Sequence, residues 1–504
     1  MPLAVSCPAT PCVAAQRGTA RCAHMLTRLE VDGFKNLLDL DVEFGPFTCI
    51  AGENGVGKSN VFDAIEFLSL LSSNPLMEAA HMVRSAGERG SGDPADLFWR
   101  GSVREQRRMR FAAEMIIPAE VHDDFGREAR ASITFVRYEV EVGYERPRGR
   151  DKSGGLVLVR ESMTPIRIGQ AHHHLRFPHS KKNFRDSVVS GRRAAAFIST
   201  EDRDGEAVIE IHQDGGSRGR PKPASAARAP ATVLSTITGA DNPTILAARR
   251  EMQSWRRLAL EPTSLRAADR YSDLRRLTAA GRHLPATLHR VANRQCQNAD
   301  GSSDTGETYA RIAARLGALS GVGARRVQVD ENDTNELFTL MVTELNGIEL
   351  PAQALSEGTL RFLALAVLES DPDESGLLCM EEPENGIHPA NVSEMVELLR
   401  DLAVDPDLPV ADDNPGRQVI VNTHSPALVQ HIHPDELLVA KSSVRCERDG
   451  MPERVLRLLP SADSWRGPHS EVGIATRLDL VPYLTTAVGT QLSLDDYGLE
   501  AQTA

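Results

Sequence analysis

The chain has 504 residues, 41% of them hydrophobic and 25% charged, and a net charge of −13. Its length exceeds one ordinary domain, and its composition is that of a soluble globular protein. No apolar stretch reaches about 18 residues, which excludes a membrane-spanning helix, and the acidic balance argues against a general nucleic-acid binder.

Residues 1–24 read as a disordered extension. They have neither the basic start nor the continuous apolar stretch of a signal peptide, so a cytoplasmic chain is expected. The periodic pattern begins at Met25, which is the functional start unless the extension is simply disordered. MLTRLEVDGF alternates with period two and predicts a strand. DVEFGPFTCIAG predicts a second, more apolar strand ending in glycine, and SNVFDAIEFLSLL a helix. Residues 71–101 are broken by glycines and Pro94 and read as irregular. RMRFAAEMIIP and ASITFVRYEVEVGYE predict strands of an antiparallel sheet, which closes a first segment at residue 145.

From 146 the character changes. Residues 146–228 hold 17 Lys/Arg against 9 Asp/Glu, a basic region in an acidic chain. LVLVRES and AVIEIHQDG read as strands, while HHHLRFPHSKKNFRDS and GGSRGRPKPASAARAP read as surface loops. Such a basic segment is either an anion-binding surface or a solvated insertion. The loop histidines His172–His174 read as solvent-facing rather than as a metal site. TILAARREMQSWRRLAL, LPATLHRVANR and TYARIAARLGAL predict short helices up to 325, with no sustained heptads. Residues 326–460 alternate strand and helix, which implies a mostly parallel sheet, and 461–504 is a tail. The seven cysteines, Cys7, Cys12, Cys22, Cys49, Cys296, Cys379 and Cys446, have neither metal-ligand spacing nor a disulfide-framework pattern, and read as reduced thiols.

Four elements carry chemistry. GENGVGKS at 52–59 follows an apolar strand and opens a helix, as a phosphate-binding loop must. Gly52, Gly55 and Gly57 let backbone N–H groups converge on phosphate oxygens at a helix N-terminus. Lys58 would reach the β- and γ-phosphates and Ser59 would hold Mg²⁺; Asn54 and Asn60 complete the expected binding set. In GLLCMEEPENGIHP, a buried strand delivers two carboxylates to its carboxyl end, where α/β sheets bind ligands. Glu381 would hold the Mg²⁺ shell through water, and Glu382 would deprotonate the attacking water. In ALSEGTLRF, Ser356 is placed as an N-cap with Glu357 and Gly358 in the first turn. This is either an ordinary cap or a second anion-binding helix start. In VIVNTHSP, His424 follows another buried strand and is placed to contact a γ-phosphate.

In this order GFKNL, GENGVGKSN, LSEGTLRF, EEPENGIHP and NTHSP resemble the ABC-type members of the AAA family ATPases, close to the SMC/RecF class and the ATPases of OLD-type nucleases. The resemblance covers about 25–100 and 326–445. It implies an ABC-type P-loop α/β fold, with a mostly parallel core sheet, an antiparallel β subdomain and a helical, loop-rich insertion lobe at 146–325. By it, Walker A is Gly52–Ser59, the signature Leu355–Arg361, Walker B Leu377–Glu382, the D-loop Glu384–His388 and the switch histidine His424. A glutamine-loop residue is not evident, and Asp96–Arg100 lies near where it should fall. The resemblance also implies ATP and Mg²⁺ as cofactors, and a homodimer or higher oligomer in which Ser356 of one copy meets ATP on the other. The motifs do not separate antiphage defence from DNA repair. They leave DNA and a separate nuclease or effector chain as candidate partners. A transport-type ATPase and a nucleotide-switched structural subunit with little hydrolysis are the alternatives.

Overall fold

The structure, a computed structural model, describes residues 24–83, 93–100, 107–145, 154–204, 206–214, 222–225, 229–294, 305–445 and 452–484. The expected extension apart from His24, most of the Gly/Arg-rich run and the end of the tail lie outside them, as do Cys7, Cys12, Cys22, Cys296 and Cys446. Among the described residues no helix is long and apolar enough to cross a membrane.

A six-stranded sheet organises the site. Its order is Arg256–Leu258, Gly376–Glu381, Arg417–Thr423, Phe47–Gly52, Leu437–Arg445 and Glu453–Pro460. The first five run parallel and the last pairs antiparallel. These strands are apolar almost throughout because both faces are covered. Ile50, Leu377, Cys379 and Ile420 face one core, which they share with the helix Lys58–Leu71. Their neighbours Cys49, Ala51, Leu378, Met380, Val419 and Val421 face the other, with the helices Glu357–Ser370 and Val392–Leu402. The period of two thus assigns alternate residues to opposite layers, each buried Leu or Ile contributing about 1.5–3 kcal/mol. The register aligns the carboxyl ends: Glu381 lies opposite Asn422, and Thr423 opposite Ala51.

The second layer is an eight-stranded antiparallel sheet in the order Lys222–Ser225, Glu206–Ile211, Ile198–Arg203, Gly155–Pro165, Phe135–Glu145, Arg107–Ile116, Met25–Asp32, Leu40–Glu43. Phe34, Phe67 and Phe111 join it to the helix after the P-loop through ring contacts of 5.3–5.9 Å between centroids. Within it Glu161 is fully buried, its carboxylate accepting from the N–H groups of Val233 and Leu234. Burial pushes its pKa up to about 7, against those bonds.

The two-layer α/β architecture agrees with the expected fold, but details differ. DVEFGPFTCIAG is two strands in different sheets, Leu40–Glu43 and Phe47–Gly52, parted at Gly45–Pro46. The 71–101 stretch includes a helix, Leu76–Met82. TILAARREMQSWRRLAL is not one helix: it ends at Ser254, and Arg256–Leu258 becomes the edge strand of the core sheet. ARRVQVD and ELFTLMVTEL pair in a separate four-stranded sheet rather than in the parallel one. The expected segment limits therefore cut continuous structure. The antiparallel sheet runs across residue 145, and residues 256–258 complete the core sheet from within the expected insertion.

Candidate nucleotide site

The phosphate-binding loop is braced by its own hydrogen bonds. Lys58 is buried, and its Nζ donates to the carbonyls of Gly52 and Glu53 at 2.6 and 2.9 Å. Burial lowers its pKa, while the carboxylates of Glu382, Glu381 and Glu384 oppose that shift and favour its charge. Gly57 sits at φ +103° as the N-cap of the helix Lys58–Leu71. A Cβ there would stand 2.2 Å from the Asn36 amide nitrogen, so glycine is required twice over. Asn36 in turn donates to the Val56 carbonyl at 2.9 Å and accepts from Asn60 Nδ2 at 2.7 Å. Asn54 and Gly55 stand exposed at the loop tip, while the Asn60 amide is engaged in bracing the loop.

The acidic strand meets this loop through its first carboxylate. Ser59 Oγ donates to Glu381 Oε2 at 3.1 Å. A hydroxyl and a carboxylate, both partly exposed beside a phosphate loop, form an oxygen donor set that fits Mg²⁺. The other oxygen of Glu381 is held by Arg257 of the edge strand.

Glu382 leaves the strand with φ +47°, a left-handed conformation uncommon for a non-glycine residue. Such a residue costs on the order of 1–3 kcal/mol and persists only where its surroundings hold it. Here its N–H donates to the Asn422 carbonyl at 2.9 Å, Asn385 Nδ2 donates to Oε2 at 2.7 Å, and His424 Nδ1 donates to Oε1 at 2.6 Å. The turn delivers both carboxylates to one crevice, with Glu382 28% and His424 42% exposed. Behind them Glu384 is buried, one oxygen taking the Thr423 hydroxyl and the other having no hydrogen-bond partner among the described residues. Burial raises its pKa.

The signature segment lies beside this crevice. Ser356 caps its helix, accepting from Thr359 N at 3.2 Å, and Ser356 and Glu357 are exposed. Gly358 packs against the D-loop so tightly that a Cβ would lie 2.2 Å from the Gly386 carbonyl. Arg361 donates to the Asn385 carbonyl at 2.8 Å. The same Asn385 restrains Glu382, so the signature helix and the catalytic candidate share a support.

The structure thus gathers Lys58, Ser59, Glu381, Glu382 and His424 at the carboxyl ends of three adjacent strands. It does not bring Asp96–Arg100 there. Trp99 N donates to the Gly33 carbonyl, and Asp96 pairs with Arg100 on the surface. The stretch bordering the acidic pair is instead Arg257–Glu261, across a cavity of about 210 Å³. Among the loop histidines, His174 donates to buried Glu114 at 2.8 Å, and the His172 and His173 rings touch at a tilt of 40°. Sequence reasoning missed Arg257 and Asn36, and it placed Glu384 only as the start of the D-loop, with no role of its own. Asn36 lies in the GFKNL stretch and was within reach; nothing local marks Arg257.

A strand–glycine loop–helix unit with acidic and histidine strands beside it defines a P-loop nucleotide-binding protein of the α/β class. The model of the family described as "AAA domain, putative AbiEii toxin, Type IV TA system" matches residues 170–430, more than half of the chain, and the chain belongs to that family, an AAA ATPase family of the SMC/RecF type. A second family model, described as "AAA domain", matches residues 28–114. The chain is similar to the DNA replication and repair protein RecF of Phocaeicola vulgatus, 31% identical over 94 residues, 17% of this chain and 25% of that one. It is 35% identical over 65 residues to RecF of Paenarthrobacter aurescens, 13% of this chain and 16% of that one. The similarity therefore spans a quarter or less of these relatives. Of the solved structures, an SMC head bound to the C-winged helix domain of ScpA aligns over 86% of this chain and 98% of that one, at 15% identity and TM-score 0.42. The SMC head domain from Thermotoga maritima aligns over the same shares at 13% identity and TM-score 0.34.

Proposed function

We propose that this chain binds ATP with Mg²⁺ and hydrolyses it, and that two copies share each nucleotide head to tail. The observation that carries the reading is the hydrogen-bonded pair Glu382–His424 at one crevice with Lys58, Ser59 and Glu381. Ser59 and, through water, Glu381 would hold Mg²⁺, which would supply charge neutralisation at the phosphates. The loop amides and Lys58 hold the phosphates. Glu382 takes a proton from water as its oxygen attacks the γ-phosphorus, the bond to the bridging oxygen breaks, and ADP and phosphate leave. With Nδ1–H on Glu382, His424 would donate Nε2–H to a γ-phosphate oxygen as the doubly protonated ring. Positioning and charge stabilisation supply most of the catalysis. Exposed Ser356, at a separate helix start, suits a nucleotide presented by a second copy. The expected result is phosphate release from Mg·ATP whose rate per chain rises with protein concentration and is lost in EDTA. Tight ATP binding without phosphate release at any concentration would support the nucleotide-switched subunit instead.

Duplex DNA is the partner this reading favours, in a repair or defence setting, because the curated relatives are DNA replication and repair proteins. Lys181, Lys182 and Arg192 are exposed on the basic segment. Arg193 is occupied, donating to the carbonyls of Ala195, Ala196 and Asp214, and is a poor choice for testing contact. Binding that weakens steeply between about 50 and 200 mM salt, with a shallower slope after Lys181→Ala, Lys182→Ala and Arg192→Ala, is expected. Salt-independent binding would reject the surface.

A further inference from the structure

Arg257 stands where the edge strand Arg256–Leu258 runs beside the acidic strand, opposite Cys379. It is 24% exposed and touches three carboxylates. Its Nη2 donates to Glu381 Oε1, and its Nη1 donates to Asp63 Oδ1 at 3.1 Å and to Glu66 Oε2 at 3.4 Å. Asp63 is fully buried on the helix after the P-loop, and its other oxygen accepts from Lys35 at 2.7 Å. A continuous ionic path therefore runs from Lys35 through Asp63 and Arg257 to Glu381, and from Glu381 Oε2 to Ser59. Burial works against the charge on Arg257, but Glu381, Asp63 and Glu66 outweigh it and hold the guanidinium above its ordinary range.

We infer that Arg257 is a positioning residue for Glu381: it fixes one carboxylate oxygen so that the other faces Ser59 and the divalent cation. The planar guanidinium can bond Glu381 and the helix carboxylates at once, which an ammonium does less well. Partners that orient a metal-site carboxylate act on metal affinity although they never touch the metal. The arrangement also explains why a charged residue occupies an edge strand of only three residues. Its side chain ties that strand to both the helix Lys58–Leu71 and the acidic strand. The inference rests on the ATP reading above, and it assigns to a residue of the middle segment the task of setting cation affinity.

The test is the full chain titrated with a fluorescent ATP analogue, in EDTA and across a Mg²⁺ series, with melting followed in parallel. Arg257→Gln is expected to bind the analogue in EDTA within about twofold of the parent, while the Mg²⁺ midpoint rises about tenfold. Arg257→Lys should recover part of that shift. In a Glu381→Gln background, Arg257→Gln should add no further change. An unmoved midpoint in folded Arg257→Gln would overturn the inference, as would effects of Arg257→Gln and Glu381→Gln that simply add. Should Arg257→Gln fail to fold, Arg257→Lys carries the test, and a parental midpoint there overturns it. A parent that binds no analogue in either condition would sink the ATP reading itself, a result distinct from an unmoved midpoint.

Discussion

Replacing Glu382 by glutamine should lower phosphate release by roughly 10²–10⁴-fold while leaving ATP bound, and should make an ATP-bound dimer accumulate. The amide keeps the shape of the carboxylate. Its oxygen can still accept from Asn385 or from His424, which meet the two carboxylate oxygens at 2.7 and 2.6 Å. The backbone bond from the residue 382 N–H to Asn422 is untouched. What disappears is the ability to take a proton from water. Nucleotide affinity, set by the loop amides, Lys58 and the cation, should therefore survive, and the step that reopens the dimer should not. Light scattering with ATP reads the accumulation and phosphate release reads the loss. A Glu382→Gln chain that hydrolyses at the parental rate, or that dimerises no better than the parent, would end the assignment of Glu382 as base. His424→Ala should cost less, because it removes one restraint on Glu382 and one phosphate contact but leaves the base.

The parts legible in the sequence were those whose signal is local. A glycine loop between a strand and a helix, two carboxylates after four apolar residues, a serine at a helix start and a histidine after a strand each fit within about ten residues. The parts that were not legible depend on pairing across the fold. Arg256–Leu258 is a strand because it lies against Leu378–Met380, some 120 residues away; by itself the stretch continues the apolar spacing of the helix Pro243–Ser254. The same long-range pairing hid Arg257, whose three carboxylate partners come from two other elements. It also hid the extent of the antiparallel sheet, whose later strands follow a change in composition that looked like a domain limit. The D-loop range Glu384–His388 does not set Glu384 apart, and only burial against Thr423 distinguishes it from its exposed neighbours Asn385 and Gly386.

A chain with Lys58→Ala and a chain with Ser356→Arg should each be nearly inactive alone, yet active when mixed. Lys58 is buried and charged, and charge-assisted bonds of this kind contribute about 1.5–3 kcal/mol each. Its loss should weaken ATP binding by roughly 10–100-fold or more, and it leaves the carbonyls of Gly52 and Glu53 without its ammonium. Ser356 is exposed, so an arginine side chain there costs the fold little beyond the cap, but it blocks the helix start where a second copy's nucleotide would dock. In a two-fold dimer sharing two sites, one mutant of each kind leaves one site with both defects and the other with none. Random mixing makes about half of the dimers mixed, each with one of its two sites intact, so about a quarter of the parental rate should return. If each chain instead completed its own site, mixing would restore nothing. The measurement thus asks whether the crevice built by Lys58, Glu382 and His424 is half of a site, independently of how fast that site turns over.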